Sequence, residues 1–120
     1  MARALVIFAF SSILLPFTVT ARATTQVSGV TVTQHSIYAG TSAQGAIVYI
    51  TPGVPNLESC SNTSGNMLWI DFSYATQPDG KSLYATLIAA LAQNQTVTFG
   101  VSGCGDSGQL PIVYRIDVYP

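Results

Sequence analysis

Two cysteines and one histidine are the residues of this 120-residue chain best suited to chemistry. Cys60 and Cys104 suggest three arrangements: a disulfide, half of a zinc site, or a nucleophilic thiol. Zinc takes four ligands, and His35 is the only histidine available to join the two thiols. A catalytic thiol also wants a histidine partner, and a lone nucleophile in an exported protein is exposed to oxidation. The N-terminal leader described below directs the chain to an oxidising compartment, so a Cys60–Cys104 disulfide is the expectation. It would enclose 43 residues. Loop-closure entropy makes a bridge of that span worth about 4 kcal/mol.

As the base of a nucleophilic triad, His35 would need an activated serine, and no Gly-x-Ser-x-Gly elbow occurs. It falls in the polar tail of a strand and reads as an exposed or hydrogen-bonded strand residue. The acids Glu58, Asp71, Asp79, Asp106 and Asp117 formally allow a carboxylate pair for glycoside hydrolysis. Each has a simpler explanation: Asp79 at a helix start, Asp106 in a turn, Asp71 and Asp117 on outward strand faces, Glu58 in a long loop. No catalytic residue, metal or cofactor is expected. Asn62-Thr63-Ser64 and Asn94-Gln95-Thr96 match the N-glycan acceptor pattern, which acts only in a eukaryotic host.

The elements that would position these residues follow from periodicity. Residues 27–35 (VSGVTVTQH), 46–51 (AIVYIT), 66–73 (NMLWIDFS), 96–102 (TVTFGVS) and 111–119 (PIVYRIDVY) are β-branched or aromatic and mostly alternate, so five strands are predicted. In the third, Leu68, Ile70 and Phe72 share one face, and Met67, Trp69 and Asp71 the other. In the last, Ile112, Tyr114, Ile116 and Val118 point inward. Residues 81–93 change period: Leu83, Tyr84, Leu87, Ile88 and Leu91 recur at helical spacing, with Asp79 as N-cap. Residues 52–65 form a loop carrying Cys60, and residues 103–108 a turn carrying Cys104.

The order β-β-β-α-β-β is that of the five-stranded barrel of oligonucleotide- and oligosaccharide-binding (OB) domains, and a mainly-β, OB-fold-like barrel with one helix is the expected fold. The disulfide would join the start of strand three to the end of strand four, making those strands antiparallel. A two-layer α+β sheet also accommodates the pattern. Trp69, Tyr49 and Tyr114 read as core or interface residues. Tyr38, Tyr74 and Tyr119 lie near strand ends, where an exposed ring can stack on a sugar.

Residues 1–23 read as a secretory signal: Arg3 gives the positive start, residues 4–19 are mostly apolar, and Ala21-Arg22-Ala23 is a small-x-small cleavage site. Cleavage there leaves residues 24–120 as one small domain, secreted or periplasmic. Beyond the signal no apolar run reaches the roughly 20 residues of a membrane span. The mature part keeps only Lys81 and Arg115 against five carboxylates, a formal charge of −3. That excludes a phosphate-neutralising nucleic-acid grip and a polybasic membrane anchor.

Ser28-Gly29-Val30-Thr31-Val32-Thr33-Gln34 resembles the opening strand of the pertussis-like toxin B subunits, the family that includes the receptor-binding subunit of subtilase cytotoxin. Cys60-Ser61, Trp69, Leu83-Tyr84, Ala89-Ala90 and Gln95-x-Val97 follow in that family's order, so that about two-thirds of the mature chain is covered. The resemblance implies an OB barrel assembled as a homopentamer, which binds sialylated cell-surface glycans and delivers an enzymatic A subunit. It places Ser28 against the sugar carboxylate; backbone donors at Gly29 and the Tyr38 ring as a stacking platform would complete the expected site. Three departures stand out. Val101 occupies the place of a fourth-strand aromatic, the family's second cysteine pair is missing, and the chain is shorter after strand four. The expected function is therefore a non-enzymatic glycan-binding subunit. The alternative is an exported accessory or structural protein that uses the same scaffold for protein–protein contacts.

Overall fold

A computed structural model describes residues 25–39, 44–55, 57–73 and 77–120. The proposed leader and Tyr74 lie outside the described residues.

The first strand predicted from the sequence forms as two. β1 (Thr25–Val27) and β2 (Thr31–Ala39) are separated by Ser28-Gly29-Val30, and Gly29 sits at φ +68°. Nothing lies within 4 Å of where a Gly29 Cβ would stand, so the left-handed backbone, and no lack of space, calls for glycine here. β3 (Gln44–Thr51) pairs antiparallel with β2 and with β4 (Met67–Asp71). α1 (Gly80–Ala92) follows, then β5 (Thr96–Gly105) and β6 (Leu110–Tyr119), which pair antiparallel with each other. β6 meets β4 in parallel at Trp69↔Ile112, and β1 pairs antiparallel with β5.

The result is one six-stranded mixed sheet in the order β1-β5-β6-β4-β3-β2. This corrects the five-stranded OB barrel expected from the element order. β1 keeps to β5 and β2 keeps to β3, and no ladder among the described residues joins β2 to β5 or to β1. The physical reason is the break at Gly29: each half of the first strand takes a different partner, and the sheet is not closed between them.

One face of this sheet carries the main core. Ala46, Val48 and Ile50 of β3, Leu68 and Ile70 of β4, and Val97, Phe99 and Val101 of β5 are buried, as their alternation dictates. Leu87 and Ala90 of α1 close over them, with Leu83, Tyr84 and Leu91 packed at the margin. Asp79 occupies the N-cap position as expected, though its side chain makes no cap bond and only its carbonyl accepts the Leu83 N–H at 2.9 Å. Gly80 lets the helix begin directly against the sheet: a Cβ there would lie 1.6 Å from the Asp71 carbonyl oxygen.

Two strands depart from simple alternation. In β4, Trp69 is as buried as Leu68 and Ile70, although it points to the opposite face. Its indole lies across two glycines, since a Cβ on Gly45 or on Gly105 would come within 2.6 Å of the ring. The Tyr38 ring meets it edge-on, with centroids 6.4 Å apart. In β6, Val113 is fully buried and Tyr114 is exposed, the reverse of the predicted phase. The register runs Gly100↔Arg115 and then Val101↔Val113, so Tyr114 is an extra residue, and this bulge flips the face of everything N-terminal to it.

The expected disulfide is present: Cys60 and Cys104 are bonded, with Cα atoms 5.6 Å apart. Cys104 belongs to β5 itself, the turn lying further on at residues 106–109. β4 and β5 are antiparallel as the bridge required, since β6 is parallel to one and antiparallel to the other. Replacing both cysteines by serine should lower unfolding free energy by about 4 kcal/mol. Urea denaturation followed by far-UV circular dichroism checks this, and an unchanged midpoint would remove the bridge from the stability account.

Candidate functional site

The break in the first strand opens a cleft of about 470 Å³. Past the last β1–β5 pair, Val27↔Phe99, the chain turns away from β5 at Gly29, and the gap lies between β2 and the α1–β5 junction. Its floor is aliphatic: Val30, Val32, Leu91 and Val97. The rim is polar and uncharged, with Thr31, Thr33 and Gln34 on one wall and Asn94, Gln95 and Thr96 on the other. A bulge shapes the first wall. The β2–β3 register passes from Val32↔Ile50 to Gln34↔Tyr49, leaving Thr33 as the extra residue, and its hydroxyl donates to the Tyr49 carbonyl at 3.4 Å. The volume falls within the 300–1,000 Å³ of ordinary ligand clefts.

His35 ends this wall. It is exposed, and its Nδ1 lies 2.9 Å from the Tyr84 hydroxyl, a hydrogen bond that holds with either group donating. The two rings are edge-on at 5.8 Å, and Tyr84 meets Phe72 in the same way at 5.6 Å. Tyr84 thus latches α1 to β2 beside the cleft. This fits the reading of His35 as an exposed, hydrogen-bonded strand residue. Among the described residues no group of histidine, cysteine and carboxylate side chains is placed to hold a metal ion.

Glu58, expected in a loop, has a structural role that its sequence context does not announce. It occupies a single 3₁₀ turn, Leu57–Ser59, at φ +55°. One carboxylate oxygen accepts the Thr25 hydroxyl at 2.6 Å, and the other accepts the Gly103 N–H at 3.2 Å. The acid therefore ties β1 to the disulfide end of β5. The one hint in the sequence was an acid two residues before a bridged cysteine in a chain with few charges.

The three residues expected to bind glycan are not gathered. Ser28 and Gly29 are exposed at the bend, just before Val30 where the cleft lining begins, and neither lines the cleft; Tyr38 is exposed at the far end of β2. At about 3.3 Å per residue, the strand between them keeps them more than ~20 Å apart. Val101, at the position of the family's enclosing aromatic, is fully buried in the core and faces no ligand. Trp69 is core as anticipated, while Tyr114 and Tyr119 are exposed on β6. The first glycan-acceptor asparagine, Asn62, is half-buried, and its side-chain oxygen accepts the Ser64 N–H at 3.1 Å and hydroxyl at 2.6 Å. The second, Asn94, is exposed on the cleft rim at φ +53°.

This geometry defines a small disulfide-stapled mixed-sheet domain with one covering helix and an uncharged cleft beside a free strand. Comparison of the chain with protein families, with curated proteins and with solved structures finds no match in any of the three. The unclosed sheet overturns the resemblance to the pertussis-like toxin B subunits, whose barrel it lacks. The toxin-subunit identity drawn from it falls with the barrel.

Tyr84→Phe keeps the ring packing and deletes only the bond to His35. It should cost about 1 kcal/mol, the usual net worth of one such bond. Chemical denaturation measures this, and a loss of several kcal/mol would show that Tyr84 does more than latch helix to strand.

Proposed function

We propose that this chain is an exported, non-enzymatic binding module that works by protein–protein contact, joining copies of itself through the free edge of β2. The observation that carries this reading is the character of that strand. β2 (TVTQHSIYA) is an edge of the sheet with no charged residue and no proline. Edge strands are commonly guarded by lysines, prolines or bulges, because an unpaired row of backbone groups invites another strand. The one bulge in β2 lies in its first half, and from Gln34 to Ala39 the register is regular. That second half also presents Ile37 (64% exposed) and Tyr38 (49% exposed). Two such segments meet without like-charge repulsion, and pairing removes both side chains from water.

The low charge of the mature part supports the same reading, since charged groups are depleted from the cores of interfaces by their desolvation cost. Light scattering on residues 24–120 tests it. The wild-type protein should be oligomeric, and Ile37→Lys should be monomeric with an unchanged circular dichroism spectrum. A wild-type protein that stays monomeric at high micromolar concentration would overturn self-association.

A second reading, contact with a cell-surface glycan, is favoured by one observation: Ser28 is exposed two residues before Val30, where a cleft rich in hydroxyls and amides begins. A glycan array probed with wild-type protein and with Ser28→Ala should then show binding that weakens in the variant. Equal binding by both would take Ser28 out of the site.

A further inference from the structure

We infer that the cleft between β2 and β5 is a strand-acceptor gap, which takes an extended, uncharged segment of about five residues from another protein. The inference rests on the reading of the domain as a protein-binding module and is independent of its self-association.

Two backbone edges frame the gap. β5 is paired with β6 from Thr96 onward, but β1 covers its other side only over Phe99–Val101, so Thr96, Val97 and Thr98 have no ladder partner there. β2 is paired with β3 on one side, and its cleft side has no ladder partner among the described residues. The edges part at Gly29, and the bulge at Thr33 adds twist to β2 beyond that point. An extended segment laid between them gains main-chain hydrogen bonds from the exposed row of β2, the ordinary source of affinity in strand addition. Thr31 to His35 offers five residues of edge, about 16 Å.

The lining selects the segment. In a strand, alternate side chains point to opposite faces, so every second residue of the guest would rest on Val30, Val32, Leu91 and Val97. Valine, isoleucine or threonine suits those places. The remaining side chains would meet the threonine and amide rim, which with His35 at its end holds no carboxylate, lysine or arginine. A lysine or glutamate there loses water without gaining a counter-ion, so charged segments are disfavoured.

The test uses an acetylated, amidated heptapeptide of alternating threonine and valine, with a control carrying lysine at each threonine place. Both are titrated into ¹⁵N-labelled protein carrying Ile37→Lys, so that self-association does not interfere. The expected result is a shift of the amides of Thr31–His35 and Thr96–Thr98, with slowed hydrogen exchange along Thr31–His35. The lysine peptide should bind at least tenfold more weakly. Thr96→Trp, which fills the gap from its rim, should abolish binding while near-UV circular dichroism confirms the fold. Three results would each overturn the inference: no shift on either edge at saturating peptide, equal binding of the lysine control, or displacement of the peptide by a neutral oligosaccharide at the same amides. A monomeric wild-type protein that binds the peptide would sink self-association alone. An oligomeric one that ignores the peptide would sink the acceptor gap alone.

Discussion

The left-handed backbone at Gly29 divides one stretch of β-forming sequence between two partners, and much of the molecule's shape depends on that division. Without it, residues 25–39 would form a single edge. With it, Thr25–Val27 is committed to β5 and Thr31–Ala39 to β3. Such a split is unstable unless the short half is held, because three residues of ladder contribute little. Two devices hold it. Glu58 reaches from its 3₁₀ turn to Thr25 on one side and to the Gly103 N–H on the other. The Cys60–Cys104 bridge fixes that turn against β5. Hydrogen bonds to a charged carboxylate are stronger than neutral ones. One acid and one disulfide thus secure the half-strand that leaves the cleft open behind it.

The second organising feature is that the sheet is covered in part on both faces. The helix covers one face in the ordinary way, through Leu87 and Ala90. On the other, Trp69 covers the sheet with its own indole, lying across Gly45 and Gly105 between Ile47 and Ile112 on the neighbouring strands. Glycine is usually a weak strand residue, lacking a side chain to pack. Here its bareness is the requirement, because any Cβ at these two places would occupy the space of the ring. Trp69 lies at the one register pair joining β4 to β6, so the packing of its ring and the continuity of the sheet reinforce each other at one point.

These features explain which parts of the structure could be read from the sequence. The single helix, its apolar stripe, the disulfide, the Leu68–Ile70 face of β4 and the core face of β5 follow from period and composition, and they were legible. What escaped were single-residue events. The bulge at Tyr114 inverts the phase of half a strand, and alternation alone gives no sign of where an extra residue falls. The split at Gly29 lies inside a run whose composition is strand throughout, and this turned five strands into six and a barrel into an unclosed sheet. Trp69 was assigned to the right category, core, but alternation placed its face toward solvent, since the glycines that receive it are 24 and 36 positions away. Of the residues singled out for binding, only Ser28 and Gly29 stand near the cleft. The remainder of that site, the amide and threonine rim at residues 94–96, carries no motif, because neutral polar residues at a helix–strand junction look like any loop.

The scarcity of charge ties fold to function. A domain with two cations and five carboxylates outside its proposed leader has few means of repelling another molecule. Several of the acids are also engaged within the fold: Glu58 with β1, Asp117 with Arg115 at 3.1 Å, and Asp71 with the Ser73 N–H at 2.8 Å. None of them lines the cleft, and none lies on β2. β2, the longer of the sheet's two edge strands, therefore has no charged side chain to guard its unpaired row of backbone groups. In a protein selected only to remain apart from others, that combination is a liability that one lysine at Ile37 or Thr33 would cure at little cost to the fold. That unguarded strand is what the proposed self-association rests on, and the staple, the glycine bend and the tryptophan clamp belong to the framework that carries it.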